Sequence, residues 1–218
     1  HPLKRHRPIA SKQILVKNAG LIGISVCCIG LGYFLIFEKG VLPFVLTYMT
    51  MMIFYCFFFR KISILDVIVI SIGFVLRLFI GGEITSTPIS VWIIIMVFLL
   101  ALFIAFSKRR DDLINENGQV RESLLDYNLS FVSTVISILV PIIIVTYILY
   151  CTTDSNTIRV SKYLYLTTLF VIMGFLRYLQ LVFVNNLGSD PVQILYDDLA
   201  LKAIVLSWMA TFGYLLYL

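Results

Sequence analysis

Seven runs of about twenty apolar residues, parted by short polar or charged stretches, decide what this chain can fold into. At 1.5 Å rise per residue such a run makes a helix about 30 Å long, the depth of a bilayer's hydrocarbon core. The runs fall near residues 13–37, 41–59, 65–84, 88–106, 127–150, 163–186 and 198–217. Strands of a transmembrane barrel would alternate apolar and polar residues over about ten positions, and that pattern is absent. Peptide groups in hydrocarbon need partners within their own segment or a closed barrel, so the fold class is an all-α polytopic transmembrane bundle. A composition of 60% hydrophobic and 13% charged residues, with mean hydropathy +0.99, excludes an ordinary soluble domain. No internal repeat divides the chain.

Charge sets the expected orientation. Lys4, Arg5, Arg7, Lys12, Lys17, Arg60, Lys61, Lys108, Arg109, Arg110 and Arg121 fall on one side of the spans, and Lys39, Arg159 and Lys162 on the other. Eleven against three places the first set in the cytoplasm. The net charge of +5 therefore reads as topology signals and anion ligands, and no nucleic-acid partner is expected. The four cysteines, Cys27, Cys28, Cys56 and Cys151, have neither metal-ligand spacing nor an evident disulfide partner. The chain opens on His1 rather than Met, directly in a basic cluster, and further sequence is expected upstream.

Three basic residues, Arg77, Arg177 and Lys202, lie within the expected spans. Lys202 is close enough to the cytoplasmic end to snorkel. A charge held in hydrocarbon costs roughly 3 kcal/mol even on lenient insertion scales, so Arg77 and Arg177 need a carboxylate partner, water or an anionic ligand. The cytoplasmic loops hold further clusters. His1, Lys4, Arg5, His6 and Arg7, ended by Pro8, suit a phosphate or diphosphate, or serve as positive-inside decoration. Tyr55, Arg60, Lys61 and Asp66 form a second cluster, with Arg77 eleven residues and about 16 Å beyond Asp66 on the same helix. In a third, Lys108, Arg109 and Arg110 precede Asp111 and Asp112, and Glu116 follows Asp112 at helical spacing. Carboxylates so placed hold Mg²⁺ with help from waters and substrate phosphates, or form a solvated charged segment. Arg177 and Tyr178, then Asp190, Asp197 and Asp198, make a fourth; the last two acids read equally as helix caps.

Taken in order, these clusters resemble the UbiA superfamily of intramembrane prenyltransferases, and within it the decaprenyl-phosphate phosphoribosyltransferase branch. HPLKRHRPIAS is similar to the branch's HPxKxxRPIAS; Tyr55 to Asp66 is similar to its YSxxLKxxxxxD segment; GFVLRLFIGG, KRRDDL and RYLQL follow in the family's order. Arg60 stands where the branch has Lys, Cys56 where it has Ser, and Asp112 where it has Glu. The resemblance covers the whole chain. It implies a nine-helix bundle around a cavity open to the cytoplasm and to lipid, of which residues 1–218 would be a single domain supplying the third to ninth helices. An Asp-rich magnesium motif would precede His1, and a chain lacking it is expected to be inactive.

The implied activity is transfer of a phosphoribosyl group from 5-phosphoribosyl 1-diphosphate to a polyprenyl phosphate, in cell-envelope biosynthesis at a bacterial inner membrane. Implied partners are those two substrates and the bilayer, with the oligomeric state left open. Mg²⁺ would be the cofactor, with Asp112 as one ligand. His1, Lys4, Arg7, Arg60, Lys108, Arg109 and Arg110 would hold phosphates at the mouth, and Arg77, Arg177 and Tyr178 would lie deeper. Tyr55 and Tyr127 would orient ribose or phosphate, and Asp66 would belong to the catalytic set. The alternatives are prenyl transfer from a prenyl diphosphate to an aromatic or other acceptor, for which Asp112 and Glu116 supply a DxxxE, and a non-catalytic lipid-binding or transport bundle.

Overall fold

The computed structural model describes residues 8–115, 124, 126–153, 163–184 and 191–217. These form helices α1 (Val16–Phe37), α2 (Leu42–Phe57), α3 (Leu65–Ile84), α4 (Val91–Asn115), α5 (Leu129–Thr153), α6 (Thr168–Phe183), α7 (Pro191–Asp197) and α8 (Leu199–Tyr217). No strand occurs among the described residues. Among the described residues six helical segments are long and apolar enough to cross a membrane, and α7 with α8, bent by 92°, adds a seventh if the pair is one span. The expected all-α bundle of membrane-spanning helices is what the chain forms.

Local signals set several helix ends. Pro43 sits in the first turn of α2, where its missing N–H costs nothing. Asn128 caps α5, its Oδ1 accepting the Phe131 N–H at 2.7 Å. Asp198 caps α8 in the same way, its Oδ1 accepting the Leu201 N–H at 2.7 Å. Within α5, Pro141 removes the hydrogen bond that the Ser137 carbonyl would otherwise receive. The fourth span was expected to end at residue 106, where hydropathy falls, but α4 runs on to Asn115. It carries the charged stretch Lys108–Asp112 out of the apolar zone as helix, with an Arg109–Asp112 pair at i, i+3 along it.

Helices α2, α3, α4 and α5 pack in sequence order, and α6 packs on α8 and α5. The main core joins Val67 of α3, Phe103 and Phe106 of α4, Val132, Ile136 and Ile143 of α5, and Tyr178 and Leu181 of α6. Spacings of three, four and seven put these side chains on one face of each helix. No residue of α1 is buried in the described structure. Toward the opposite end a smaller core of Tyr147, Cys151 and Leu164 carries a hydrogen-bonded chain. Trp208 Nε1 donates to the Tyr147 hydroxyl at 2.9 Å, that hydroxyl bonds Thr167 Oγ1 at 2.6 Å, and Thr167 donates to the Leu164 carbonyl at 2.6 Å. The Tyr147 hydroxyl on α5 and the Trp208 N–H on α8 are thus paired without water, as hydrocarbon surroundings demand.

Replacing Tyr147 with Phe strands the Trp208 N–H and one Thr167 lone pair. The expected cost is about 1 kcal/mol, typical of interhelical hydrogen bonds in membranes, read as a lower melting temperature in detergent.

Candidate functional site

The loop from α2 into α3 turns sharply before α3 begins. Its Ser63–Ile64–Leu65 segment is a γ-turn: the Leu65 N–H reaches the Ser63 carbonyl at 2.7 Å, and Ile64 sits at φ 67°, ψ −47°. A β-branched residue at positive φ is strained, and the surroundings must hold it there. The Tyr127 hydroxyl does so by accepting the Ile64 N–H at 2.5 Å while donating to Asp66 Oδ1 at 3.2 Å. A second link ties the same loops together, Ser63 Oγ donating to Asp126 Oδ2 at 2.8 Å.

Asp66 lies in the first turn of α3 and is fully buried. Its other oxygen, Oδ2, accepts Arg109 Nε at 2.8 Å, and Arg109 Nη1 donates to Asp112 Oδ2 at 3.0 Å. Arg109 is itself buried, with Tyr55 of α2 near enough to act on its charge. One guanidinium therefore bridges two carboxylates, and α3, α4 and the start of α5 meet on it. Breaking such a pair from one side costs about 3–5 kcal/mol, because the partner's charge is left buried and alone. Burial also pushes the Tyr127 phenol up to about 12, so it stays neutral and able to donate.

The other expected site residues separate into distinct environments. Arg110 is buried at 5% exposure, stacks 5.0 Å over the Phe183 ring, and among the described residues makes one hydrogen bond, Nε to Ser133 Oγ at 3.4 Å. The buried Tyr178 lies close enough to interact with its charge and packs on Phe103 at 5.1 Å. Arg177 forks onto Asp198, Nη2 to Oδ2 at 2.7 Å and Nε to Oδ1 at 3.3 Å, and adds Gln180 Oε1 at 2.9 Å. It is an interhelical ion pair between α6 and the start of α8, and Asp198 serves it while capping α8. Arg77 has a different partner set: it donates to the Tyr48 hydroxyl and lies 5.1 and 4.9 Å from the Tyr48 and Phe74 ring centres. No carboxylate pairs with it among the described residues. Arg60 and Lys108 are exposed, and Tyr55 is half-buried. His1, Lys4, Arg7 and Glu116 lie outside the described residues.

The structure thus brings Tyr55, Asp66, Arg109, Asp112 and Tyr127 together and places Arg110 with Tyr178 beside them. Arg177 and Arg77 stand apart. Sequence reasoning did not single out Tyr48, Ser63, Asp126, Ser133 or Phe183. Only Ser133 carried a readable signal, the hydroxyl spacing Ser130, Ser133, Thr134, Ser137 along one helix face. Among the described residues no group of three acidic, His or Cys side chains converges to hold a metal ion. Asp66 and Asp112 are each occupied by Arg109, so the described carboxylates do not by themselves make a Mg²⁺ site.

A bundle of membrane-spanning helices with arginines set among them defines an integral membrane protein, and the chain belongs to the UbiA prenyltransferase family, which matches residues 1–196. Among its relatives are decaprenyl-phosphate phosphoribosyltransferases. That of Mycolicibacterium smegmatis is 26% identical, with 100% of this chain covering 71% of that protein. Those of Corynebacterium glutamicum and Mycobacterium tuberculosis are 24% and 23% identical, over 96% and 98% of this chain and 64% and 70% of theirs. The chain spans about two thirds of the length of these curated relatives.

Tyr127 carries a pH signature. Its proton is held more tightly folded than unfolded, so the stability it contributes is complete below about pH 10 and is lost as pH climbs toward 12. Tyr127→Phe leaves the Ile64 N–H without its acceptor and Asp66 Oδ1 without its donor. It is expected to lower stability at neutral pH by about 1–3 kcal/mol and to flatten the decline between pH 10 and 12. Thermal denaturation of both proteins across that range measures it.

Proposed function

We propose that the chain is the catalytic bundle of a phosphoribosyltransferase acting on a polyprenyl phosphate. The observation that carries this reading is the unequal fate of the membrane arginines. Arg109 and Arg177 are neutralised by carboxylates, whereas Arg77 and Arg110 have none among the described residues. Cations kept in or beside hydrocarbon without a counter-ion are tolerated when an anionic ligand supplies it. Two such cations at different depths suit two phosphate-bearing substrates, and the names of the relatives support that pairing.

In the proposed reaction a phosphate oxygen of the polyprenyl phosphate attacks C1 of 5-phosphoribosyl 1-diphosphate. The new C1–O bond forms as the bond from C1 to the diphosphate breaks, and the diphosphate leaves with the electron pair. A long isoprenoid stays in lipid while only its phosphate reaches the polar end of the bundle. Arg77 and Arg110 hold phosphate oxygens; Arg60 and Lys108, exposed at that end, together with His1, Lys4 and Arg7, add attraction for the diphosphate. Asp66, Arg109 and Tyr127 position the α2–α3 loop that carries Arg60. In this reading that end faces the cytoplasm at a bacterial inner membrane, and the excess of basic residues there supports the cytoplasmic side.

The test supplies the full-length protein in nanodiscs with magnesium, labelled 5-phosphoribosyl 1-diphosphate and polyprenyl phosphates of several lengths. Label in the lipid extract with matching diphosphate release is the expected result. No label, with prenyl transfer from a prenyl diphosphate to an aromatic acceptor instead, overturns the reading. Arg77→Ala is expected to lower transfer about a hundredfold with little change in melting temperature, because its side chain is exposed and breaks no ion pair. Arg177→Ala is expected to destabilise the fold instead, through the loss of the Asp198 pair.

A further inference from the structure

Between α5 and α6 runs an open groove of about 650 Å³, lined by Ser130, Ser133, Thr134, Ser137, Ile138, Pro141, Ile142 and Phe183. All but Phe183 come from one face of α5, at spacings of three and four, so the groove is a single stripe about 18 Å long. Its character changes along its length. The end near the start of α5 is hydroxyl-lined, and the end reached by Ile138, Pro141 and Ile142 is apolar and exposed.

Arg110 contacts two of the groove's walls, Ser133 by hydrogen bond and Phe183 by stacking. A guanidinium has five N–H donors, and among the described residues this one spends a single donor, on a long 3.4 Å bond, while being almost wholly buried. The Ser133 hydroxyl accepts that bond, which leaves its own hydrogen to donate. Thr134 and Ser137 instead turn their hydroxyl hydrogens back onto the carbonyls of Ser130 and Ser133. The polar end therefore offers a buried cation and the hydroxyls of Ser130 and Ser133, a set suited to phosphate oxygens.

We propose that this groove seats the lipid acceptor, its phosphate on Arg110 and Ser133 and its first isoprene units along Ile138, Pro141 and Ile142. The choice of occupant rests on the phosphoribosyl-transfer reading above. The multiply charged sugar diphosphate has nothing to pair with along the apolar half. A phospholipid brings two acyl chains to a stripe one helix face wide, whereas a polyprenyl phosphate brings one chain and a more highly charged monoester.

Two measurements test it. Ile138 is 54% exposed, so Ile138→Trp fills the groove without disturbing the core. The expected result is at least a tenfold rise in KM for polyprenyl phosphate, with KM for 5-phosphoribosyl 1-diphosphate within twofold of the original. An unchanged acceptor KM, or a rise in the donor KM alone, overturns the proposal. Independently of turnover, a polyprenyl phosphate bearing a diazirine near its phosphate is photolysed with the unaltered protein in nanodiscs, and the labelled peptides are mapped. Labelling of the Ser130–Ile142 stretch, competed by polyprenyl phosphate and not by phosphatidylglycerol, supports the site. Labelling elsewhere, or equal competition by phosphatidylglycerol, overturns it. Labelling in the groove by a protein that transfers no phosphoribosyl group would sink the reaction and leave the site standing.

Discussion

Asp66 and Arg109 sit out of water at the meeting point of three helices, and neither tolerates that place without the other. The guanidinium takes one carboxylate from α3 and one from its own helix, and the second oxygen of Asp66 takes the Tyr127 hydroxyl from the start of α5. Continuum reasoning says such a cluster adds little net stability compared with a well-packed apolar core. Its value is in register. Apolar helices in lipid slide and rotate against one another at small cost, because each new contact replaces a similar one. A buried ion pair has one good geometry, and every helix that contributes to it is fixed in depth and rotation at that level.

The consequence reaches the backbone. Tyr127 pins the Ile64 N–H, and with it a γ-turn that few residues adopt willingly, so the loop carrying Arg60 and Lys61 leaves α2 along a set path. Ser63 and Asp126 repeat the tie a few residues away. Two loops far apart in sequence thereby behave as one surface at the mouth of the bundle. The strain at Ile64 is sustained by hydrogen bonds rather than by a glycine, and so the turn depends on the partner loop being in place.

Hydropathy made the helices plain, since twenty apolar residues in lipid leave a chain no other economical choice. It misjudged α4, because hydropathy reports where the hydrocarbon ends and a helix is free to continue beyond it. The arginines were legible as exceptional, but their partners were not. Arg177 finds Asp198, 21 residues on, and whether a given acid caps a helix or neutralises a distant cation is decided by packing; Asp198 does both. Arg109 and Arg110 are neighbours in sequence with opposite surroundings, because a one-residue step turns a helical side chain by about 100°. Asp66 stood out for its place among basic residues, yet its burial against Arg109 and Tyr127 is a property of three helices at once.

Where α7 meets α8 the chain turns through 92°, with Asp198 at the corner and Arg177 holding it from α6. With α8 crossing the bilayer, the bend sets α7 across the direction of that span, Pro191 and Ile194 buried against the bundle and Val192 and Tyr196 exposed. The corner is fixed rather than hinged, because Asp198 caps α8 and pairs with Arg177 at once. Tilting α8 therefore moves Asp198 with it, and the Arg177–Asp198 contact couples the orientation of α8 to that of α6.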